Sequence, residues 1–201
     1  IAIFFQRLSN DIHIHLAIAE DDRVRAFFTL SIDQQTQRFT LFTGFAISAR
    51  AFDHHHDLFD ILGCCRLTRN FDAQAISLQR TGKLGTYASS LGQEAVGTGL
   101  AAAMADDDIL LPSFREHGAQ LWRGVAMEEL FLFWGGDERG SDFSSQRRDF
   151  PVSVTVGGHA PHATGLAIAQ QVRGLKNAVV CVLGDGATSK GDVYEAMNFA
   201  G

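Results

Sequence analysis

The alternation of strand-like and helix-like segments predicts an α/β fold with a doubly wound, mostly parallel sheet. Three observations carry that expectation. Short apolar runs of strand character occur at Ile109–Leu111, Val152–Val156 and Val179–Leu183. Glycine-rich or polar loops follow them, at Ser113–Gly118, Gly157–Pro161 and Gly184–Gly186. Each loop then opens onto a segment whose apolar residues recur at helical spacing.

Taken in order, Phe59, Leu62, Leu67, Phe71, Ala75 and Leu78 mark a helix over Phe59–Leu78, which Thr81-Gly82-Lys83-Leu84-Gly85 ends. Gly92–Met104 reads as a second helix. Its glycines lower helix propensity, so close packing against a neighbour is the expected compensation. Aspartates 106–108 form a turn, and Pro112 stops the strand Ile109–Leu111. After the polar strand end Ser113–Gly118, helical patterning runs through Trp134. The charged stretch Gly135–Asp149 reads as a solvated connection. Val152–Val156 alternates as a strand and turns at Gly157-Gly158 into a helix through Val172. The last strand, from Val179, breaks at Gly184-Asp185-Gly186, and a final helix begins near Asp192.

With 201 residues, 46% of them hydrophobic, the chain can bury one substantial core or one and a fraction. A net charge of −6 with scattered Lys and Arg gives no basic stripe for nucleic acid. No apolar run approaches the roughly 18 residues of a membrane span. The start, IAIFFQRLSNDIHIH, lacks the basic region and cleavage site of a signal peptide. Cys64 and Cys65 are adjacent and Cys181 sits in an apolar strand, which argues for a reducing compartment and a Cys181 that acts as a small hydrophobe. Composition shifts near residue 60. Residues 1–60 hold nine of the 16 Phe and five of the 8 His but one of the 20 Gly, with no Pro or Lys. Two segments follow: 1–60, either a native helical extension or sequence foreign to the remainder, and 61–201, the α/β unit.

The chemistry is concentrated in Ala178–Gly201. An acid between two glycines at the carboxyl end of a strand lets backbone approach a phosphate while the carboxylate holds a cation. A hard divalent ion such as Mg²⁺ takes one or two carboxylates plus phosphate oxygens. The turn around Asp185 therefore reads as a Mg²⁺-diphosphate site or, more plainly, as a capped strand-to-helix turn. Arg115, just past a strand, could grip a diphosphate bidentately or pair at the surface with Glu116 or Asp108. Val154 and Val156 read from pattern alone as core. His159 and His162 lack the further ligands of a metal site, and His54-His55-His56 is a weak signal with which a transition-metal site is compatible. Glu94 is favoured by its place in a first helical turn.

GDGATSKGDVYEAMNFAG, TGKLGTYASSLGQEA and LLPSFREHGAQLWRG resemble the α subunit of thiamine-diphosphate-dependent 2-oxo acid dehydrogenase E1 components, most of all the pyruvate dehydrogenase branch. The resemblance runs from about Leu62 to Gly201. It implies the amino-terminal part of the thiamine-diphosphate-binding fold, with the second half of the cofactor motif beyond Gly201. It assigns Gly184, Asp185, Gly186 and Ala187 to the cofactor, with Asp185 as Mg²⁺ ligand. It places Phe114 and Arg115 against the diphosphate, Phe114 standing where the family often has Tyr. The stretch with Val154 gives backbone contacts to the aminopyrimidine, and Val156 matches the wedge that bends thiamine. His117 supports the diphosphate side. Partners implied are an E1 β subunit, as α2β2, and a lipoyl-bearing E2, with a 2-oxo acid as substrate. The setting is cytoplasmic in bacteria and the mitochondrial matrix in eukaryotes. Branched-chain 2-oxo acid and acetoin dehydrogenases are the alternatives. The implied catalytic histidines and second Mg²⁺ ligand lie downstream, so the chain alone is expected to be inactive.

Overall fold

The computed structural model describes the backbone of residues 2–8, 11–20, 23–33, 38–43, 58–145 and 148–200, with side chains for 59–145 and 148–200. The chain divides into two compact units. One gathers Ile1–Ile47, Asp107–Ser113 and Ser153–Gly201, the other Ser48–Asp106 and Phe114–Val152.

The first unit is an α/β layer. Strands β1 (Ala2–Leu8), β2 (Asp11–Glu20), β3 (Arg23–Asp33), β4 (Arg38–Thr43), β5 (Ile109–Leu111) and β6 (Val179–Val182) form one sheet in the order β4-β3-β2-β1-β6-β5. Among the described residues only β5 and β6 pair in parallel, with Ile109 opposite Val179 and Leu111 opposite Cys181. The other four pairings are antiparallel, so the mostly parallel sheet expected from sequence reduces to one small parallel pair. For the pairings β1–β2, β2–β3 and β3–β4 the reason is connection length. Leu8 pairs with Asp11 and Glu20 with Arg23, leaving room only for hairpins, whereas a parallel neighbour needs a crossover of a dozen residues or more. The helical extension considered for residues 1–60 is not formed in their described part up to Thr43, which is strand; helix begins only at Leu58.

The parallel pair is the buried heart of this unit. Leu110, Leu111 and Val180 are wholly buried, and Cys181 lies among them as the small hydrophobe expected. The pairing is prolonged past the strand start. Ile109 N–H donates to the Ala178 carbonyl at 2.9 Å, and Ala178 N–H donates to the Asp108 carboxylate at 2.6 Å. Helix α5 (Ala160–Val172) packs with β6 and with α6 (Gly191–Ala200), where the Thr164 hydroxyl donates to the Ala196 carbonyl at 2.9 Å. The strand expected at Val152–Val156 is absent. That segment bends at Thr155 and turns at Val156, and its described backbone bond to another part of the chain is Ser153 N–H to the Pro112 carbonyl at 3.2 Å.

The second unit is helical. Helix α1 (Leu58–Arg80), α2 (Glu94–Ala102), α3 (His117–Trp122) and α4 (Met127–Trp134) surround a core of Phe71, Ala75, Leu84, Tyr87, Val125, Leu130, Trp134 and Phe143. The helical pattern read through Trp134 is two helices, broken at Gly124, whose φ of 86° suits glycine. Gly135–Asp149 is a mostly exposed connection, as its charges suggested, but it is pinned at a few buried points. Phe143 and Asp149 are buried, and Arg123 clamps Asp149 through two bonds of 2.6 and 3.0 Å. The close packing anticipated from the glycines of 92–104 is found at Gly97, where a Cβ would sit 3.0 Å from Ala119 N, but not at Gly92 or Gly99, where it would meet nothing within 4 Å. From the α3 side, a Cβ at Gly118 would sit 2.9 Å from Thr98 Oγ1 and 3.1 Å from the Glu94 carbonyl.

Two glycine substitutions test this packing by thermal unfolding. Gly118→Ala should destabilise by about 1–3 kcal/mol through overpacking. Gly165→Ala, in α5 where a Cβ meets nothing within 4 Å, should stabilise by roughly 0.5–1 kcal/mol through helix propensity. Equal effects at the two sites would contradict the tight α2–α3 contact.

Candidate functional site

At the carboxyl end of β6 the backbone leaves the core abruptly. Leu183 is buried, whereas Gly184, Asp185 and Gly186 are exposed. Asp185–Ser189 wind into one 3₁₀ turn before α6 starts. Ala187 N–H closes it on the Gly184 carbonyl at 3.0 Å, and the Thr188 hydroxyl donates to the Asp185 carbonyl at 2.6 Å. The buried Ala187 methyl anchors the turn, which leaves the Asp185 carboxylate outside the core. Gly184 has φ of −72°, and neither Gly184 nor Gly186 has positive φ. A Cβ at either would meet nothing within 4 Å. Neither local conformation nor packing within the chain demands glycine there, so the bare backbone fits close approach by a ligand.

The Val154–Gly158 segment lies against this turn. Gly157 has φ of 70°, and a Cβ there would meet Val193 Cγ2 at 2.9 Å and the Ala187 methyl at 3.3 Å. The next residue but one is tied to β6: buried His159 Nε2–H donates to the Val182 carbonyl at 2.7 Å. Burial depresses its basicity, and the Val182 bond opposes that only in part. His159 is thus a neutral structural histidine, and His162 Nδ1 contacts the Gly158 carbonyl at 3.3 Å. Val154 is 59% and Val156 49% exposed. The core assignment that their alternation suggested does not hold, and both apolar side chains face outward beside the glycine turn.

In the second unit, Arg115 is exposed and follows the end of β5 by four residues. Among the described residues it makes one hydrogen bond, Nε to the Ser89 carbonyl at 3.2 Å. Its guanidinium lies 5.0 Å from the centroid of the Phe114 ring. The ion pair with Glu116 is not formed. Backbone and ring therefore fix one edge and one face of the guanidinium, leaving its terminal amines for a ligand. Glu94 is structural: its carboxylate pairs with Arg69 and accepts the Gly92 N–H.

His117 is wholly buried and cannot reach a ligand directly. Tyr87 stacks on it at 5.5 Å, and Trp134 Nε1–H donates to its Nε2 at 2.9 Å. Burial pushes its pKa down to about 4. Sequence reasoning passed over the residues that surround it, Asp72, Tyr87 and Trp134. The one available signal was an acid at position 72 between apolar Phe71 and Ala75 of a helix.

Among the described residues no group of three or more His, Cys, Asp or Glu is arranged to hold a metal ion. A cation at Asp185 would have to share its shell with ligand oxygens, as Mg²⁺ does with phosphates. The His54-His55-His56 run lies outside the described residues. No described helix is long and apolar enough to cross a membrane.

Residues 63–201 match the family model described as dehydrogenase E1 component. The chain belongs to the dehydrogenase E1 component family. It is 37% identical over 134 residues to the pyruvate dehydrogenase E1 component subunit alpha of Mycoplasma pneumoniae. It is 40% identical over 134 residues to the protein of that name from Acholeplasma laidlawii. An equal 40% over 134 residues relates it to the 3-methyl-2-oxobutanoate dehydrogenase subunit alpha of Mycobacterium tuberculosis. These matches cover 67% of this chain but 37%, 39% and 36% of those relatives. The chain thus spans little more than a third of their length. The E1 α-type resemblance read from the GDG segment holds.

The buried histidine makes a checkable claim about acid. Because the folded pKa of His117 lies below the ordinary value of 6.5, the unfolded chain binds the proton first. Stability should therefore fall as pH drops from about 6.5 towards 4. Thermal midpoints across that window should fall less in His117→Gln than in the parent chain. An equal fall in both would place the titration elsewhere.

Proposed function

We propose that this chain is the cofactor-binding amino-terminal part of a pyruvate dehydrogenase E1 α subunit, using thiamine diphosphate and Mg²⁺. The observation that carries the reading is the turn at Gly184-Asp185-Gly186. It combines an exposed carboxylate with two glycines that the chain's own packing does not require. The residues present fit the group: Asp185 ligates Mg²⁺, while Gly184, Gly186 and Ala187 offer backbone to the diphosphate. Arg115 binds the diphosphate with its free amines and Phe114 supports that guanidinium. The Val154 segment holds the aminopyrimidine, and Val156 keeps thiamine bent.

When bound, thiamine diphosphate supplies the nucleophile and electron sink for decarboxylating a 2-oxo acid. The chain's own work is to bind, orient and exclude water. Held side chains and backbone need little rearrangement when the substrate reacts. Lipoyl-E2, as acceptor of the two-carbon unit, and an E1 β subunit, in an α2β2 assembly, would be the partners of the parent enzyme. A branched-chain substrate is the second reading, favoured by the 40% identity to the mycobacterial subunit. Turnover of pyruvate against 3-methyl-2-oxobutanoate by the assembled enzyme separates the two.

In the full-length α/β enzyme, Asp185→Ala should abolish Mg²⁺-dependent binding of thiamine diphosphate. Arg115→Ala should weaken it about ten- to hundredfold, as expected for loss of a charge-assisted contact of roughly 1.5–3 kcal/mol. Titration calorimetry checks both. Binding at parental affinity in Asp185→Ala would overturn the site, and an unchanged affinity with lowered stability in Arg115→Ala would make Arg115 structural.

A further inference from the structure

The buried carboxylate of Asp72 lies outside every role assigned so far. It projects from α1 and is 1% exposed. Among the described residues no cation pairs with it. Its partners are four donors drawn from one short loop: Tyr87 O–H at 2.8 Å, Ser89 O–H at 2.8 Å, Ser90 N–H at 2.7 Å and Ser90 O–H at 3.3 Å. Three of them converge on Oδ1 and the Ser89 hydroxyl takes Oδ2. Burial alone would push this carboxyl up. The Ser90 N–H, with the Ser89, Tyr87 and Ser90 hydroxyls, outweighs that and holds it below the usual carboxylate range. The group is therefore an anion at neutral pH, and hydrogen bonds to an anion are short and strong.

What that loop carries is Arg115. The Ser89 hydroxyl is fixed from both sides, donating to Asp72 and accepting the Leu91 N–H at 3.2 Å. The carbonyl of the same residue accepts Arg115 Nε at 3.2 Å. We propose that Asp72 is a positioning residue for Arg115: its carboxylate fixes the Tyr87–Ser90 loop, and the Ser89 carbonyl then aims the guanidinium at the anionic ligand. This rests on the reading of Arg115 as a diphosphate contact. It adds a buried residue, on a different helix, that touches no cofactor yet sets the direction of one that does. Without that anchor the Arg115 amines would sample many directions, and the entropy of ordering them would fall on cofactor binding.

The test is a double-mutant cycle in the full-length α/β enzyme, reading thiamine-diphosphate affinity by calorimetry in Mg²⁺ and kcat at saturating cofactor. Asp72→Asn keeps the shape but replaces an acceptor oxygen by a donor. It should weaken cofactor affinity about tenfold, with kcat near the parental value, and should weaken it hardly further in an Arg115→Ala background. Ser89→Ala, a milder change that severs one link to Asp72, should show the same dependence on Arg115 with a loss of roughly two- to fivefold. It serves if Asp72→Asn does not fold. A loss of equal size with and without Arg115 would make Asp72 a general structural residue and overturn the proposal, as would full affinity in both Asp72→Asn and Ser89→Ala. Full affinity in Arg115→Ala alone would instead overturn the reading on which the proposal rests.

Discussion

The parallel pairing of β5 with β6 is the constraint on which the geometry of the Gly184-Asp185-Gly186 turn depends. Parallel strands finish at the same edge of a sheet, and that edge is where open α/β sheets receive ligands. Because Leu111 lies opposite Cys181, the exits at Pro112 and Leu183 belong to one edge. The chain spends its most apolar residues on this pair, with Leu110, Leu111 and Val180 wholly buried. The abrupt change to exposed Gly184-Asp185-Gly186 is possible because the strand before it is so firmly held. His159 adds to this, since its bond to the Val182 carbonyl joins the start of α5 to the end of β6.

In the helical unit a different device does comparable work. There several buried polar groups are matched to a partner, Asp72 to four donors, Asp149 to Arg123 and His117 Nε2 to Trp134, although His117 Nδ1 and the Gln120 amide have none among the described residues. Such groups add little net stability over apolar packing, but removing one partner is costly. They therefore tie loops to helices in one arrangement. Exposed Arg115 inherits its order from that buried network, which explains how a surface guanidinium keeps a definite direction.

Sequence legibility followed the range of the forces involved. Helix α1 and strand β6 could be read from spacing and apolar runs because local pattern decides them, and GDG marked the turn. The sheet's majority pairing could not be read in the same way, since glycine-rich βα loops in 61–201 dominated the argument. Yet Asp11-Ile12-His13-Ile14-His15-Leu16 carries the period-two alternation of a half-buried strand, and that signal was available. Val152–Val156 misled for the opposite reason: it alternates, but it has one cross-chain bond and outward-facing valines. The Gly135–Asp149 loop is mostly exposed as its charges suggest, but its anchor is not local: Asp149 pairs inside with Arg123, 26 positions away. The partners of Asp72 are likewise not local, because its donors lie 15 to 18 positions away.

A crystal structure of the full-length α/β enzyme with thiamine diphosphate and Mg²⁺ decides the proposed role of Asp185. A carboxylate oxygen of Asp185 should lie about 2.1 Å from the metal. A metal held without Asp185 would contradict that role.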